Sequence, residues 1–302
     1  MRALALGVLA TLVASGCSSV ERDAATVGGT TVTVEQFETL LTEFAARPEI
    51  TNLQEDAATG SVPSADARNW LTLLVRNAAS TEFLAENDEA VTDEDRQAVR
   101  DTIEADSDLL QFPDEIVSQF VDLQAASAAQ ERIPAPDAAE LEARYDRSPA
   151  SLGVICVRHV LLATEAEAQD VMDELAAGAE IEDLAVERST DPSAADNGGA
   201  IEGASGACTS TAEAAAQQGA PAFLAAAMTS KPGEPVGPVE SSLGWHVIEA
   251  RPFDEVSDSL TTLYDENAGS LLFDGFMATA DIRVDPRYGR WDGTSASVVG
   301  LS

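Results

Sequence analysis

Apolar positions in the first half of the chain recur mostly at helical spacing. Phe37, Leu40, Leu41 and Phe44 share one face of a helix whose start is marked by Thr33 and Gln36, a capping box. Ahead of it, Gly28-Gly29 stands between β-branched residues in Ala24–Thr33, which predicts a small hairpin. After a loop over 47–63, Ala67, Trp70, Leu71, Leu74 and Ala78 mark a second helix. Thr92 is the N-cap of a third, with Asp93, Glu94 and Asp95 in the first turn, where negative charge favours the helix dipole. Phe112-Pro113-Asp114 breaks the chain before a helix over 114–131 bearing Ile116, Phe120, Val121 and Leu123, and another is expected over 136–146. These stripes read as core faces. This half shows neither metal-ligand spacing nor a phosphate-binding loop.

The pattern changes in the second half. A nearly continuous apolar run, Val154–Leu162, predicts a strand over 153–162. A helix over 165–176 follows with Ala168, Val171, Met172 and Leu175 inward, then one over 180–188 carrying Ile181, Leu184 and Ala185. A short helix (222–229) and two strands (236–241 and 244–250) close this unit. Beyond it, Ser257–Thr279 is a helix with Leu260, Leu263, Leu271, Leu272 and Phe276 apolar, and Ala280–Asp285 a strand.

Length and composition bound the rest. At 302 residues there is room for two domains, each with its own core. Arg2 and the apolar stretch Ala3–Val13 read as a secretion signal over 1–16, too short to span a bilayer as a mature helix. Ala14-Ser15-Gly16-Cys17 resembles the lipobox of bacterial lipoproteins, which makes Cys17 a lipidation candidate and Ser18–Asp23 a tether. The net charge is −36 with Lys231 the single lysine, so no basic stripe exists for nucleic acid, and the surface would be repelled by anionic lipids. Cys156 and Cys208 form an even pair in an exported chain: a disulfide candidate, or else two unpaired small core residues.

The two histidines give the second half its meaning. His159 lies in the strand Val154–Leu162, and His246 in Gly244-Trp245-His246-Val247-Ile248 after Gly233-Glu234-Pro235-Val236-Gly237-Pro238-Val239. Between them stands Ser189-Thr190-Asp191-Pro192-Ser193-Ala194-Ala195-Asp196-Asn197-Gly198-Gly199. This ordered set resembles a parvulin-type peptidyl-prolyl isomerase domain. The opening hairpin and capped helix, Val27-Gly28-Gly29 followed by Thr33 and Phe37, are similar to the start of SurA-type and PrsA-type chaperones, with Gly28 in place of their asparagine.

The resemblance implies an α+β fold: a helical SurA-like chaperone domain (24–150, completed by a C-terminal helix and strand in 253–302) with a parvulin domain inserted at 151–252, the latter a small antiparallel sheet flanked by helices. It implies paired histidines, His159 and His246, holding each other's tautomers, with Asp191 beside the substrate carbonyl and Ser241 bonded to the pair. Asp191 could instead cap its own loop. Ile201, Phe223 and Met228 are the expected substrate-binding residues, Met228 beneath the apolar cup. Gly199-Ala200-Ile201-Glu202 departs from the family's Gly-Asp-Leu-Gly, and Gly219 falls where a cup methionine often sits, so a cup that is either shallower or covered by a mobile loop is expected. The expected function is isomerisation of Xaa-Pro bonds in unfolded or secreted polypeptides, without cofactor, metal or nucleic acid, from a lipid anchor on the outer face of the cell membrane. The alternative is a holdase chaperone whose parvulin domain has weak or no turnover.

Overall fold

The computed structural model describes residues 22–53, 61–105, 107–203, 206–216 and 221–301. The expected leader, Cys17 and Gly219 lie outside these residues. Asp23–Val27 (β1) and Thr30–Thr33 (β2) pair antiparallel about the Gly28-Gly29 turn. Thr33 then caps Val34–Ala45 (α1): its hydroxyl accepts from the Gln36 N–H at 3.1 Å, and the Gln36 side chain accepts from the Thr33 N–H at 2.9 Å. One helical turn, Pro48–Thr51 (α2), stands in the expected loop, its first position preset by proline. Ser64–Glu86 (α3), Asp93–Thr102 (α4), Asp114–Gln130 (α5) and Ala138–Arg147 (α6) follow. Thr92 and Asp95 form a second capping box at α4, and Asp137 caps α6 through the Glu140 N–H at 2.9 Å.

The strand expected over 153–162 is two strands, Val154–Ile155 (β3) and Val157–Leu162 (β4). Then come Glu165–Ala176 (α7), Ile181–Arg188 (α8), the single turn Ala194–Asn197 (α9), Thr209–Ser210 (β5), Thr211–Ala216 (α10), Pro221–Thr229 (α11), Val236–Ser241 (β6) and Gly244–Ala250 (β7). The split at Cys156 is a change of partner: β3 pairs with β5, whereas β4 pairs along its length with β7. Cys156 and Cys208 are joined by a disulfide, buried completely, at the point where the strand changes partner. The sheet β4-β7-β6 is antiparallel.

Phe253–Thr279 (α12) is longer than the expected helix and bends at Asn267, whose φ of −143° is not helical. Ile282–Val284 (β8) then lies antiparallel to β1, Val27 opposite Ile282 and Ala25 opposite Val284, giving a sheet of order β2-β1-β8. Both ends of the chain thus complete one body, whose core includes Phe37, Phe44, Leu71, Val121, Leu260 and Tyr264. A last hairpin, Arg290–Asp292 (β9) with Ser297–Val299 (β10), escaped the sequence reading. It is fastened to this body: the Trp291 Nε1–H donates to the Met277 carbonyl at 3.2 Å, and the Val298 N–H to Thr72 Oγ1 at 2.9 Å. No helix among the described residues is long and apolar enough to cross a membrane.

The bridge spans 52 residues of sequence. A loop of that length corresponds to about 4 kcal/mol of restricted unfolded-chain entropy. The double substitution Cys156→Ala, Cys208→Ala is therefore expected to lower the free energy of unfolding by about 4 kcal/mol, read as a lower urea midpoint. An unchanged midpoint would show that the bridge contributes nothing to stability.

Candidate active site

Alternation along β4 and β7 sorts their side chains onto two faces. Val160, Leu162 and Val247 join Ala168, Val171, Leu184 and Ala185 in a core against α7 and α8, with Trp245 packed on it. The opposite face carries Val157, His159, His246 and Ile248 toward α11, where Ala226 and Ala227 are buried against it. Leu161 is the residue directly across from His246, so His159, two positions earlier on the same face, meets His246 on the diagonal.

The geometry is a continuous hydrogen-bonded line. The imidazole planes are 16° apart with centroids 5.4 Å apart, and Nδ1 of His159 lies 3.2 Å from Nδ1 of His246. His159 Nε2 is 3.0 Å from Asp191 Oδ2, and His246 Nε2 is 2.7 Å from Ser241 Oγ. Both rings are nearly fully buried. Burial pushes His159 below the ordinary histidine range against the pull of the Asp191 carboxylate. Burial, and then the neighbouring His159, push His246 down to about 4. The backbone N–H and hydroxyl of Ser193, both on Asp191 Oδ1, hold the Asp191 carboxyl below its usual range, aided by His159.

These facts fix every proton in the line. An ionised Asp191 only accepts, so His159 donates from Nε2 and, being neutral, accepts at Nδ1. His246 must then donate from Nδ1 and accept at Nε2, so the Ser241 hydroxyl is the donor there. The Ser241 oxygen in turn accepts from the Leu243 N–H at 3.1 Å. Asp191 thereby holds its own loop through Ser193 and is bonded to His159 at once.

Sequence reasoning missed the residues that bring this loop to the sheet. Arg158, buried on the other face, pairs with Glu255 at 2.6 Å and Glu182 at 3.2 Å and donates to the Asn197 carbonyl at 3.1 Å. The Asn197 side chain accepts from the Gly199 N–H and donates to the Ala200 carbonyl. The His159 N–H donates to the Gly199 carbonyl at 2.8 Å, and the Ile201 N–H to the Val157 carbonyl at 2.9 Å, so this segment runs along the free edge of β4. Gly199 has φ +74°, and a Cβ there would stand 2.2 Å from the His159 carbonyl. Only glycine fits. A lone arginine among apolar residues was the available signal.

Phe223 stands edge-on to both imidazoles, with centroids 5.7 Å and 5.0 Å away. Phe223 also walls a cavity of about 350 Å³, together with Ile155, Val157, Ile201, Pro221 and Leu224 among others. The histidines do not line this cavity; Phe223 does. Met228 is absent from it as well. With Ala225 and Thr229 it lines a second cavity facing Ser148, Ala150 and Ala278, while packing against the same apolar cluster as Phe223 and Ile201. Among the described residues, no group of three or more His, Cys, Asp or Glu could hold a metal.

Comparison with known proteins agrees with this geometry. Residues 161–251 match the family model described as Rotamase, PPIC-type PPIASE domain. The chain is 34% identical over 127 residues to Foldase protein PrsA of Caldanaerobacter subterraneus and 35% identical over 114 residues to Foldase protein PrsA 2 of Bacillus cereus. These matches take in 40% and 36% of this chain and span 38% and 36% of the relatives' own length. Among solved structures, PrsA from Bacillus subtilis aligns over 84% of this chain and 91% of its own at 21% identity, with a TM-score of 0.29.

The buried neutral imidazoles set a pH dependence. An unfolded histidine takes up a proton below about 6.5, whereas folded His246 does so only near 4. The unfolded chain binds more protons in that window, so stability is full above about pH 6.5 and is lost as pH falls toward 4. The loss attributable to His246 is on the order of 3 kcal/mol. Urea unfolding of wild type and His246→Gln across that range should diverge accordingly, and parallel profiles would refute a neutral buried His246. The chain therefore carries a PPIC-type, or parvulin, domain over residues 161–251.

Proposed function

We propose that this protein is a peptidyl-prolyl cis-trans isomerase that assists the folding of exported polypeptides. The barrier it lowers, roughly 18–20 kcal/mol, comes from amide resonance, and no covalent bond need break. Lowering it requires an apolar seat for the proline ring and surroundings that favour the twisted amide over the planar one. The observation that carries the reading is the cavity wall at Phe223, an aromatic ring braced from behind by two hydrogen-bonded imidazoles. Phe223 and Ile201 would hold the ring and exclude water. His159, His246, Ser241 and Asp191 would act as positioning residues, fixing that wall relative to the sheet.

Two features support an extracytoplasmic site of action. The joined cysteines suit an oxidising compartment, and the leader with Ala14-Ser15-Gly16-Cys17 suits export with acylation at Cys17. With a charge of −36, electrostatics would not hold the protein on anionic lipid, so the acyl chains would carry the attachment. In this reading the PrsA-like organisation is a helical folding-assistance body, 24–150 with 253–302, around an isomerase unit at 151–252. Labelled palmitate should mark the wild-type chain in cells and leave Cys17→Ser unmarked; equal labelling would exclude this anchor.

The deciding experiment is cis–trans exchange of proline tetrapeptides by the full chain. Loss of the buried aromatic surface in Phe223→Ala corresponds to about 1.5–3 kcal/mol, so kcat/KM should fall by about 10- to 100-fold with the circular dichroism unchanged. His246→Ala should slow exchange in the same direction. A wild-type chain that suppresses aggregation of unfolded proteins but leaves the exchange rate at its uncatalysed value would instead be a holdase.

A further inference from the structure

The cavity beside Phe223 is not built by the isomerase unit alone. Asp292, the last residue of β9, and Thr294 and Ser295, in the turn before β10, line one side of it. That turn is positioned by the helical body. Trp291 is bonded to the Met277 carbonyl, and a Cβ on Gly293 would stand 2.4 Å from the carbonyl of Ala278, so the turn lies directly on the end of α12. The cavity is therefore a seam whose two sides belong to different parts of the chain.

The charged residues lining that seam, among the described residues, are Glu202 and Asp292, both acidic. Glu202 borders the cavity from the loop after Gly199, is exposed, and has no cation within 4 Å among the described residues. Asp292 borders it from the hairpin, with Ser295 Oγ donating to Oδ2 at 2.8 Å and half-exposed Arg290 no nearer than 3.7 Å. Glu213 sits just behind, accepting from the hydroxyl of the lining residue Thr209 at 3.0 Å. Among the described residues no lysine or arginine lines the cavity, and its remaining walls are mostly apolar.

Building on the isomerase reading, we infer that this composite cleft selects prolines with a cationic neighbour, the ring seated against Phe223 and a lysine or arginine side chain held between Glu202 and Asp292. Exposed carboxylates each contribute modestly, so the two together give a preference of about 3- to 10-fold over an acidic neighbour, weakened by salt. The hairpin is on this account a specificity-determining part of the site.

The test uses the full chain and tetrapeptides in which Lys, Ala or Glu precedes or follows the proline. The ratio of kcat/KM for Lys over Glu peptides should be about 3- to 10-fold at low salt, fall at high salt, and approach one in Glu202→Gln, Asp292→Asn. A control with the same charge change on the opposite face of the sheet, Glu165→Gln with Asp170→Asn on α7, should keep the ratio. Equal handling of Lys and Glu peptides by wild type, or a ratio lost equally in the control, would overturn the inference. Should no peptide be isomerised, the isomerase reading fails separately, and fluorescence anisotropy of labelled peptides reads the same ratio as Kd. Equal Kd values would then overturn the charge preference itself.

Discussion

The Nδ1 to Nδ1 contact between His159 and His246 is the constraint on which the site is built. Two imidazoles can share that bond only if one nitrogen has a proton and the other does not. Their arrangement is decided at a distance, by an Asp191 carboxylate already saturated by Ser193. Direction then passes from aspartate to histidine to histidine to serine without a choice at any step. A second proton on His159, at Nδ1, would put two ring donors face to face, which is why burial and neutrality belong together there. The chain of bonds spans β4, β6, β7 and the Asp191 loop, so it fixes the relative positions of all four.

That rigidity would matter for the proposed isomerisation, a reaction with no chemical intermediate. The difference between a planar and a twisted amide is small in shape, and a wall that yielded would accommodate both alike. Phe223 is stiffened by what stands behind it. In the proposed function the imidazoles would contribute by not moving.

Much of this was legible in the residues. Thr33 with Gln36, and Thr92 with acidic residues after it, announce helix starts through local bonds that the fold keeps. The order of His159, the Asp191 loop, Gly244 and His246 gave the isomerase-like unit, because each is a local turn or strand signal. Other features depended on contacts remote in sequence. The split at Cys156 comes from β3 and β4 choosing different partners, which no periodicity records. Met228 borders a second cavity because five helical residues turn its side chain about 140° from Phe223, so one apolar helix serves two cavities. The β9–β10 hairpin has strands of three residues each, too short to show alternation.

The pairing of β8 with β1 has a consequence for the order in which the molecule can be assembled. Strand β1 is flanked on one side by its hairpin partner, but its other edge waits for residues some 250 positions later. Contacts of that separation form late, whereas the sheet β4-β7-β6 closes from residues within one stretch of the chain. A polypeptide emerging amino end first therefore carries an open, adhesive strand edge throughout its passage, and the act of finishing synthesis is what seals it.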